Sequence, residues 1–163
     1  MILLFKNVNK FYLSWLNFLS TFRQVYLIGL TIGLQIFITL TFSFFFFPNH
    51  SAGPKFDNTF DHFFLPVIVA PLVETFIFQY AIQDFILRKI NNAYFFACLI
   101  SSILFGLSHY YSPEYILVTF LSGILFSTLY LVSIKKNYIA FISVAIAHSI
   151  YNFIGFCVDY FAK

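Results

Sequence analysis

The sequence predicts an all-α fold, a polytopic integral membrane bundle of about five transmembrane helices with an amphipathic helix at its N-terminus. Of its 163 residues, 61% are hydrophobic and only 9% are charged, whereas an average soluble domain carries roughly 25% charged residues. Phenylalanine alone contributes 26 residues, a load that a water-exposed surface does not carry without aggregating. We therefore expect lipid to be the solvent around most of this protein.

Residues 1–24 differ from the rest of the chain and predict an amphipathic helix that lies on the membrane surface. Lys6 and Lys10 alternate with apolar residues that recur every three or four positions, as on one face of a helix. The apolar positions are Leu4, Val8, Phe11, Trp15, Phe18 and Phe22. The charged start and cleavage site of a signal peptide are missing. A sixth, poorly hydrophobic span is the alternative.

Residues 25–161 predict the transmembrane bundle, because a helix crosses the bilayer core with about 20 apolar residues. The predicted spans are Val25–Phe47, Phe63–Leu87, Ala93–His109, Tyr115–Ile134 and Tyr138–Phe161. The longest polar segment between them holds Asn49, His50, Lys55, Asp57, Asn58, Asp61 and His62. No linker and no repeat interrupts the chain, so residues 1–163 are expected to form a single membrane domain.

The distribution of basic residues predicts an orientation. If the five spans alternate, Lys55 and Lys163 fall on one side of the membrane and all other basic residues on the opposite side. The larger group is Lys6, Lys10, Arg23, Arg88, Lys89, Lys135 and Lys136. Because loops rich in lysine and arginine stay in the cytoplasm, we expect a cytoplasmic N-terminus, in a bacterial cytoplasmic (inner) membrane. The small net charge of +3 gives no indication of nucleic-acid binding.

Three ionisable residues at membrane depth, on three different predicted spans, are the strongest functional signal. They are Glu74, His109 and His148. A charge at the bilayer centre costs at least about 2.5 to 3.5 kcal/mol, so such residues mark functional sites by default. A lone polar residue can instead hold helices together by hydrogen bonding. Three chemically matched groups favour a shared site over that purely structural role.

Helical spacing adds polar and small residues to this picture. Pairs that lie four residues apart, and therefore share a helix face, are Thr75 with Gln79, Phe105 with His109, and His148 with Asn152. Small residues at the same spacing let helices approach closely, as at Ser102 and Gly106. Pro66 and Pro71 are expected to bend the second span and loosen its backbone hydrogen bonds beside Glu74. We expect one polar pocket to result.

Such a pocket has the parts for water-mediated hydrolysis of a peptide bond. A carboxylate shielded from bulk water, Glu74, is a suitable general base, and a neutral imidazole beside it, His109, helps to hold the water. His148 and Asn152 are suitable hydrogen-bond donors for the oxyanion that forms on an attacked carbonyl. No serine or cysteine nucleophile and no cofactor is required. The expected partners are membrane lipids and a peptide or membrane-protein substrate.

Three short motifs, in order and each on its own predicted span, carry a resemblance to a known family. They are Pro71–Gln79, Phe105–His109 and His148–Asn152. Together they resemble the CAAX-protease and bacteriocin-processing (CPBP, also called Abi) intramembrane proteases. That pattern is a glutamate pair followed by three residues and an arginine, then Phe-x-x-x-His, then His-x-x-x-Asn or Asp. The resemblance covers roughly half of the chain.

The resemblance implies an all-helical glutamic-type endopeptidase that cleaves near prenylated C-termini or processes small peptides. Carried over residue by residue, it implies that Glu74 activates water together with His109. It also implies that His148 and Asn152 form the oxyanion site, with Phe105 in a supporting position.

The first motif departs from the family pattern at two positions. Thr75 stands where the second glutamate usually is, and Gln79 stands where the arginine is. Because the two charges are lost together, the net charge of the motif is unchanged and no buried charge is orphaned. We interpret this as a matched substitution by neutral groups that can still form hydrogen bonds and support Glu74, which is retained.

Other readings of the same residues remain open. One carboxylate and two imidazoles are ordinary zinc ligands, although the His-Glu-x-x-His signature is missing. The altered first motif also fits a non-catalytic membrane scaffold or interaction protein that retains a protease-like pocket. A proton-coupled carrier is disfavoured, because the chain is short and has no inverted repeat.

Overall fold

The computed structural model describes residues 2–45 and 59–161, and within these ranges the chain forms six helices and no strand. The helices are α1 (Ile2–Leu19), α2 (Gln24–Phe45), α3 (Thr59–Lys89), α4 (Tyr94–Ser108), α5 (Pro113–Lys135) and α6 (Ala140–Phe161). The prediction of an all-α bundle is confirmed. Phe47 and the predicted loop residues Asn49, His50, Lys55, Asp57 and Asn58 lie outside the described residues.

The predicted second span is longer than expected at both ends. Asp61 and His62, which the sequence placed in the loop, lie in the first turns of α3, and Arg88 and Lys89 lie in its last turn. An acidic residue near the N-terminus and basic residues near the C-terminus both complement the helix dipole. The placement of Asp61, His62, Arg88 and Lys89 outside a helix was therefore wrong.

Four helices, α2, α3, α5 and α6, are long and apolar enough to cross a membrane. The third predicted span, Ala93–His109, corresponds to α4, which has only 15 residues, about 22 Å at 1.5 Å per residue. It ends at Ser108, and the next helix starts at Pro113. There the Ser112 hydroxyl accepts a hydrogen bond from the Tyr115 N–H at 3.1 Å and caps α5.

Helix α1 presents three different faces. Leu16 and Leu19 are buried against the bundle, and the Tyr12 hydroxyl is hydrogen-bonded to Thr128 at 2.9 Å. An aromatic face is exposed, comprising Phe11, Trp15 and Phe18. An exposed polar face comprises Lys6, Lys10 and Ser14. The arrangement fits the predicted interfacial helix, and it adds a docking face that the apolar periodicity did not reveal.

The contacts of α1 place it at one end of the bundle. The Asn9 side chain donates to the Asn92 carbonyl and accepts from the Phe95 N–H, so it bridges to the turn between α3 and α4. Farther along, the Lys136 ammonium donates to the Ser20 carbonyl at 2.8 Å. The turns that carry the basic residues of the predicted cytoplasmic side therefore lie at the α1 end of the molecule.

Helices α4 and α5 pack closely through small residues, as their spacing predicts. A Cβ atom added at Gly123 would lie 3.0 Å from the Ser102 Cα atom. One added at Gly106 would lie 2.9 Å from the Phe120 Cβ atom. This contact holds the end of α4 against the start of α5, where the candidate site is found.

Helix α3 is wound irregularly around Glu74. Two π-helical segments, Leu65–Val69 and Thr75–Ile82, flank the α-helical stretch Ala70–Glu74. The predicted loosening of the backbone beside Glu74 thus takes the form of a wider helix. In a π-helix each N–H bonds to the carbonyl five residues earlier, and such segments are frequent at functional sites.

Candidate active site

The Glu74 carboxylate lies between two imidazole rings. Its Oε1 atom is 3.6 Å from His109 Nε2, and its Oε2 atom is 3.7 Å from His148 Nε2. Both distances exceed a direct hydrogen bond and suit bridging by a water molecule. The Glu74 side chain is 23% exposed, and the two histidines are more deeply buried. Three residues from three helices therefore meet at one point.

His109 is oriented by the end of its own helix. Its Nδ1 atom lies 2.7 Å from the Phe105 carbonyl oxygen. Because a carbonyl only accepts hydrogen bonds, Nδ1 carries a proton, and in the neutral ring Nε2 is left as an acceptor. That acceptor faces Glu74. A water between the two groups would donate one hydrogen to His109 and the other to the carboxylate.

His148 is held by aromatic rings on α4 and α5. Its ring lies 4.4 Å from that of Phe126 and 5.9 Å from that of Phe105, centroid to centroid. Phe105 also contacts the His109 ring, at 4.7 Å. Phe105 is 2% exposed, so it is a rigid support that touches both imidazoles. The Nδ1 atom of His148 has no hydrogen-bond partner among the described residues.

Asn152 bonds to the backbone of the helix that carries Glu74. Its Nδ2 atom donates to the Pro66 carbonyl at 2.7 Å. In this π-helical segment the Ala70 N–H bonds to Leu65, so the next donor in the series would belong to Pro71. Proline has no N–H, and Asn152 therefore supplies the donor that Pro71 lacks. The second hydrogen of the amide is not used by this bond.

The meeting point opens into a cavity of about 420 Å³, within the size range of ligand pockets. Most of its wall is apolar, and its polar groups include those of the predicted site. One wall is formed by Leu65, Pro66, Val69, Ala70 and Val73 of α3, and the facing wall includes Tyr111, Tyr115, Val118 and Thr119. Glu74, His109, His148, Asn152 and Phe105 all line the cavity.

A protein-family model described as type II CAAX prenyl endopeptidase Rce1-like matches residues 57–154, more than half of the chain. The chain belongs to this Rce1-like family. The match includes all three motifs, so the resemblance seen in the sequence is confirmed. With four apolar helices of spanning length, it makes the chain an integral membrane protein of a family of membrane endopeptidases. No curated protein and no solved structure matches the chain.

The two positions that depart from the family motif lie away from the cavity. Thr75 and Gln79 are fully buried, and neither lines the cavity wall. The Thr75 hydroxyl and both polar atoms of the Gln79 amide have no hydrogen-bond partner among the described residues. In the described part of the chain neither side chain is hydrogen-bonded to Glu74, and their supporting role stays a prediction.

Two tyrosines of the cavity wall were missed by the sequence analysis. Tyr115 lies with its ring 5.7 Å from that of His109 and lines the same cavity as Glu74. Tyr151 lines the same cavity and is hydrogen-bonded to Thr39 at 2.7 Å. Neither residue stands out as an ionised group in an apolar run, which is the signal that singled out Glu74 and the histidines. For Tyr115, its position at the start of the predicted span Tyr115–Ile134 was the available signal.

The cavity lies in the half of the bundle that is remote from α1. Its lining residues come from the end of α4, the first part of α5, the first half of α3 and the middle of α6. By contrast, α1 contacts the turn between α3 and α4 and the end of α5. In the described part of the chain, no group of three or more His, Cys, Asp or Glu residues is arranged to hold a metal ion.

Proposed function

We propose that this protein is an intramembrane endopeptidase of the glutamic type, in which Glu74 activates a water molecule for attack on a peptide bond. The observation that carries the proposal is the position of the Glu74 carboxylate, 3.6 and 3.7 Å from two imidazole nitrogens at the wall of a largely apolar cavity. A shielded base beside a water-holding imidazole is what general-base hydrolysis requires.

The proposed reaction proceeds in two steps. Glu74 takes a proton from the water held between it and His109, and the water oxygen bonds to the carbonyl carbon of the substrate. His148, with its proton on Nε2, and the free amide hydrogen of Asn152 donate to the oxyanion that forms. Glu74 then passes its proton to the amide nitrogen, the carbon–nitrogen bond breaks, and an acid and an amine leave.

The substrate class proposed is a peptide or membrane protein whose scissile bond reaches the cavity from the bilayer. The apolar walls of the cavity fit such a substrate, and the family description points to prenylated C-terminal sequences. A farnesylated peptide ending in Cys, two aliphatic residues and a variable residue is therefore the first defined probe. No cofactor takes part in the proposed chemistry.

Cleavage by the purified protein in lipid nanodiscs tests the assignment. A fluorophore–quencher pair on the farnesylated peptide reports the rate for wild type, Glu74→Gln and the control Glu114→Gln, which changes a carboxylate outside the cavity lining. General-base catalysis contributes about 10²–10⁴-fold, so Glu74→Gln is expected to lose at least about 100-fold in kcat while the control keeps its rate. Equal rates for wild type and Glu74→Gln would contradict the proposal.

A non-catalytic interaction protein is the second candidate function, and the replacement of two charged family positions by Thr75 and Gln79 favours it. The two functions make opposite predictions in cells. Mass spectrometry of membrane peptides should reveal products that depend on Glu74 if the protein is a protease. If the protein is an interaction protein, the peptide profile should be the same for wild type and Glu74→Gln. Both forms should then co-purify with the same partner protein.

For orientation, we propose a cytoplasmic N-terminus in a bacterial inner membrane, supported by the basic turns at the α1 end of the bundle. The cavity then lies in the outer half. Cysteines introduced at the exposed positions Asn91 and Tyr110 report the accessibility of the two opposite ends of the bundle. An impermeant maleimide should label Tyr110→Cys and not Asn91→Cys in intact cells, and the reverse pattern would overturn the orientation.

A further inference from the structure

The helix that carries Glu74 is bonded to neighbouring helices through one carbonyl on each side of that residue. Before Glu74, Asn152 donates to the Pro66 carbonyl. After it, the Ser101 hydroxyl on α4 donates to the Phe78 carbonyl at 2.9 Å. Phe78 lies about one helical turn beyond Glu74. The two hydrogen bonds therefore enclose the segment that presents the carboxylate.

The Phe78 carbonyl lies in the π-helical segment Thr75–Ile82 and accepts a hydrogen bond from outside α3. In irregular membrane helices, serine and threonine side chains bond to backbone groups that the winding frees. The donor here is the Ser101 hydroxyl. Ser101 is fully buried.

The Ser101 hydroxyl also receives support of its own. It lies 3.1 Å from the Ser127 hydroxyl on α5, and the Gln83 side-chain amide donates to it at 3.4 Å. The hydroxyl is thereby held by groups from two further points of the bundle while its bond to Phe78 fixes α3. By contrast, Ser143 on α6 is a buried serine whose hydroxyl donates to the nearby Ile139 carbonyl.

A second contact connects the same turn to the histidines. The Phe78 ring packs edge-on against Phe105 with centroids 5.4 Å apart. Phe105 in turn touches the rings of His109 and His148. A shift of the turn at Phe78 would therefore move Glu74 relative to both imidazoles.

We propose that Ser101 is a positioning residue for Glu74, which it holds between the two histidines by fixing the Phe78 carbonyl. Ser101 lies outside all three motifs. Its effect on the geometry of the site stands on the contacts above, whereas its effect on turnover rests on the proposed function. The two effects are measured separately.

The geometric effect can be read from the histidine side chains, since the chain has only four histidines. Protein labelled with ¹⁵N-histidine in nanodiscs gives imidazole signals that single His→Gln variants assign. Ser101→Ala should shift the His109 and His148 signals, and Glu74→Gln is expected to shift them too. Ser143→Ala, a matched loss of one buried hydroxyl outside the cavity lining, should leave both signals in place. Circular dichroism verifies that each variant is folded, and Ser101→Cys, which keeps the volume with a weaker donor, replaces Ser101→Ala if that variant does not fold.

The catalytic effect is measured with the farnesylated peptide. Misplacement of a reacting group by about 1 Å can cost about 100-fold, so Ser101→Ala should lower kcat by about 10- to 100-fold with KM nearly unchanged. Ser143→Ala should keep kcat. If both alanine variants shift the histidine signals alike, or Ser101→Ala shifts neither signal, Ser101 is a packing residue and the proposal is overturned. Shifted signals in Ser101→Ala together with an inactive wild type would refute the hydrolase assignment and keep the positioning role.

Discussion

Gly106→Ala should destabilise the bundle because helices α4 and α5 meet at this glycine. The added Cβ would lie 2.9 Å from Phe120 Cβ, 3.0 Å from the Ile116 carbonyl oxygen and 3.1 Å from Phe120 Cα. Ordinary contact starts at 3.4 Å, and two of these three atoms belong to the backbone. No side-chain rotation relieves the contact, so the helices must separate by about 0.5 Å, an overpacking that typically costs about 1–3 kcal/mol.

Gly155→Ala is the matched control, since a Cβ at Gly155 has no atom within 4 Å. Both substitutions gain the same helix propensity, about 1 kcal/mol, so the difference between the variants isolates the cost of the close contact. We expect Gly106→Ala to be about 1–3 kcal/mol less stable than Gly155→Ala in reversible unfolding by a denaturing detergent. It should also lower cleavage, because Gly106 lies three residues before His109. Equal stability of the two variants would refute the close approach of α4 and α5.

Two other hydrogen bonds lead to further predictions. Asn152→Leu leaves the Pro66 carbonyl without its donor, so the free energy of unfolding should fall by about 1–3 kcal/mol. The control is Asn7→Leu at an exposed position; an equal fall in its free energy of unfolding would mean that the hydrogen bond is not the cause. Tyr12→Phe removes the bond that ties α1 to Thr128 and should cost about 0.5–1.5 kcal/mol. The control is Tyr26→Phe, at an exposed position. If Tyr12→Phe melts at no lower a temperature than Tyr26→Phe, α1 does not dock on the bundle through Tyr12.

The hydrophobic spans were predictable because every helix that crosses the bilayer core needs about 20 apolar residues. The observed start of α2 at Gln24, against Val25 expected, shows how closely an apolar run follows a helix. The N-terminus of α6 was predicted two residues early, at Tyr138. The preceding turn continues there: Asn137 adopts a left-handed conformation with φ of 57°, and the Tyr138 N–H bonds back to Ser133.

The site was predictable where chemistry stands out against its surroundings, and not where it depends on the winding of the backbone. Glu74, His109 and His148 are ionisable groups in apolar runs, so composition alone singles them out. Ser101 looks like any small residue of a packed helix until the structure shows its hydroxyl bonded to the Phe78 carbonyl of a π-helical segment. Spacing by four residues assumes a regular α-helix, and α3 departs from that geometry on both sides of Glu74.

The shortness of α4 has a consequence for the surrounding lipid. At 15 residues the helix is about 8 Å shorter than a hydrocarbon core of about 30 Å, and a bilayer adapts to such hydrophobic mismatch by thinning. Tyr110 and Tyr111 follow the helix and are 81% and 59% exposed, and tyrosine favours the membrane–water boundary. The boundary should therefore dip towards the end of α4, bringing the aqueous phase to a carboxylate that the neighbouring helices hold at hydrocarbon depth.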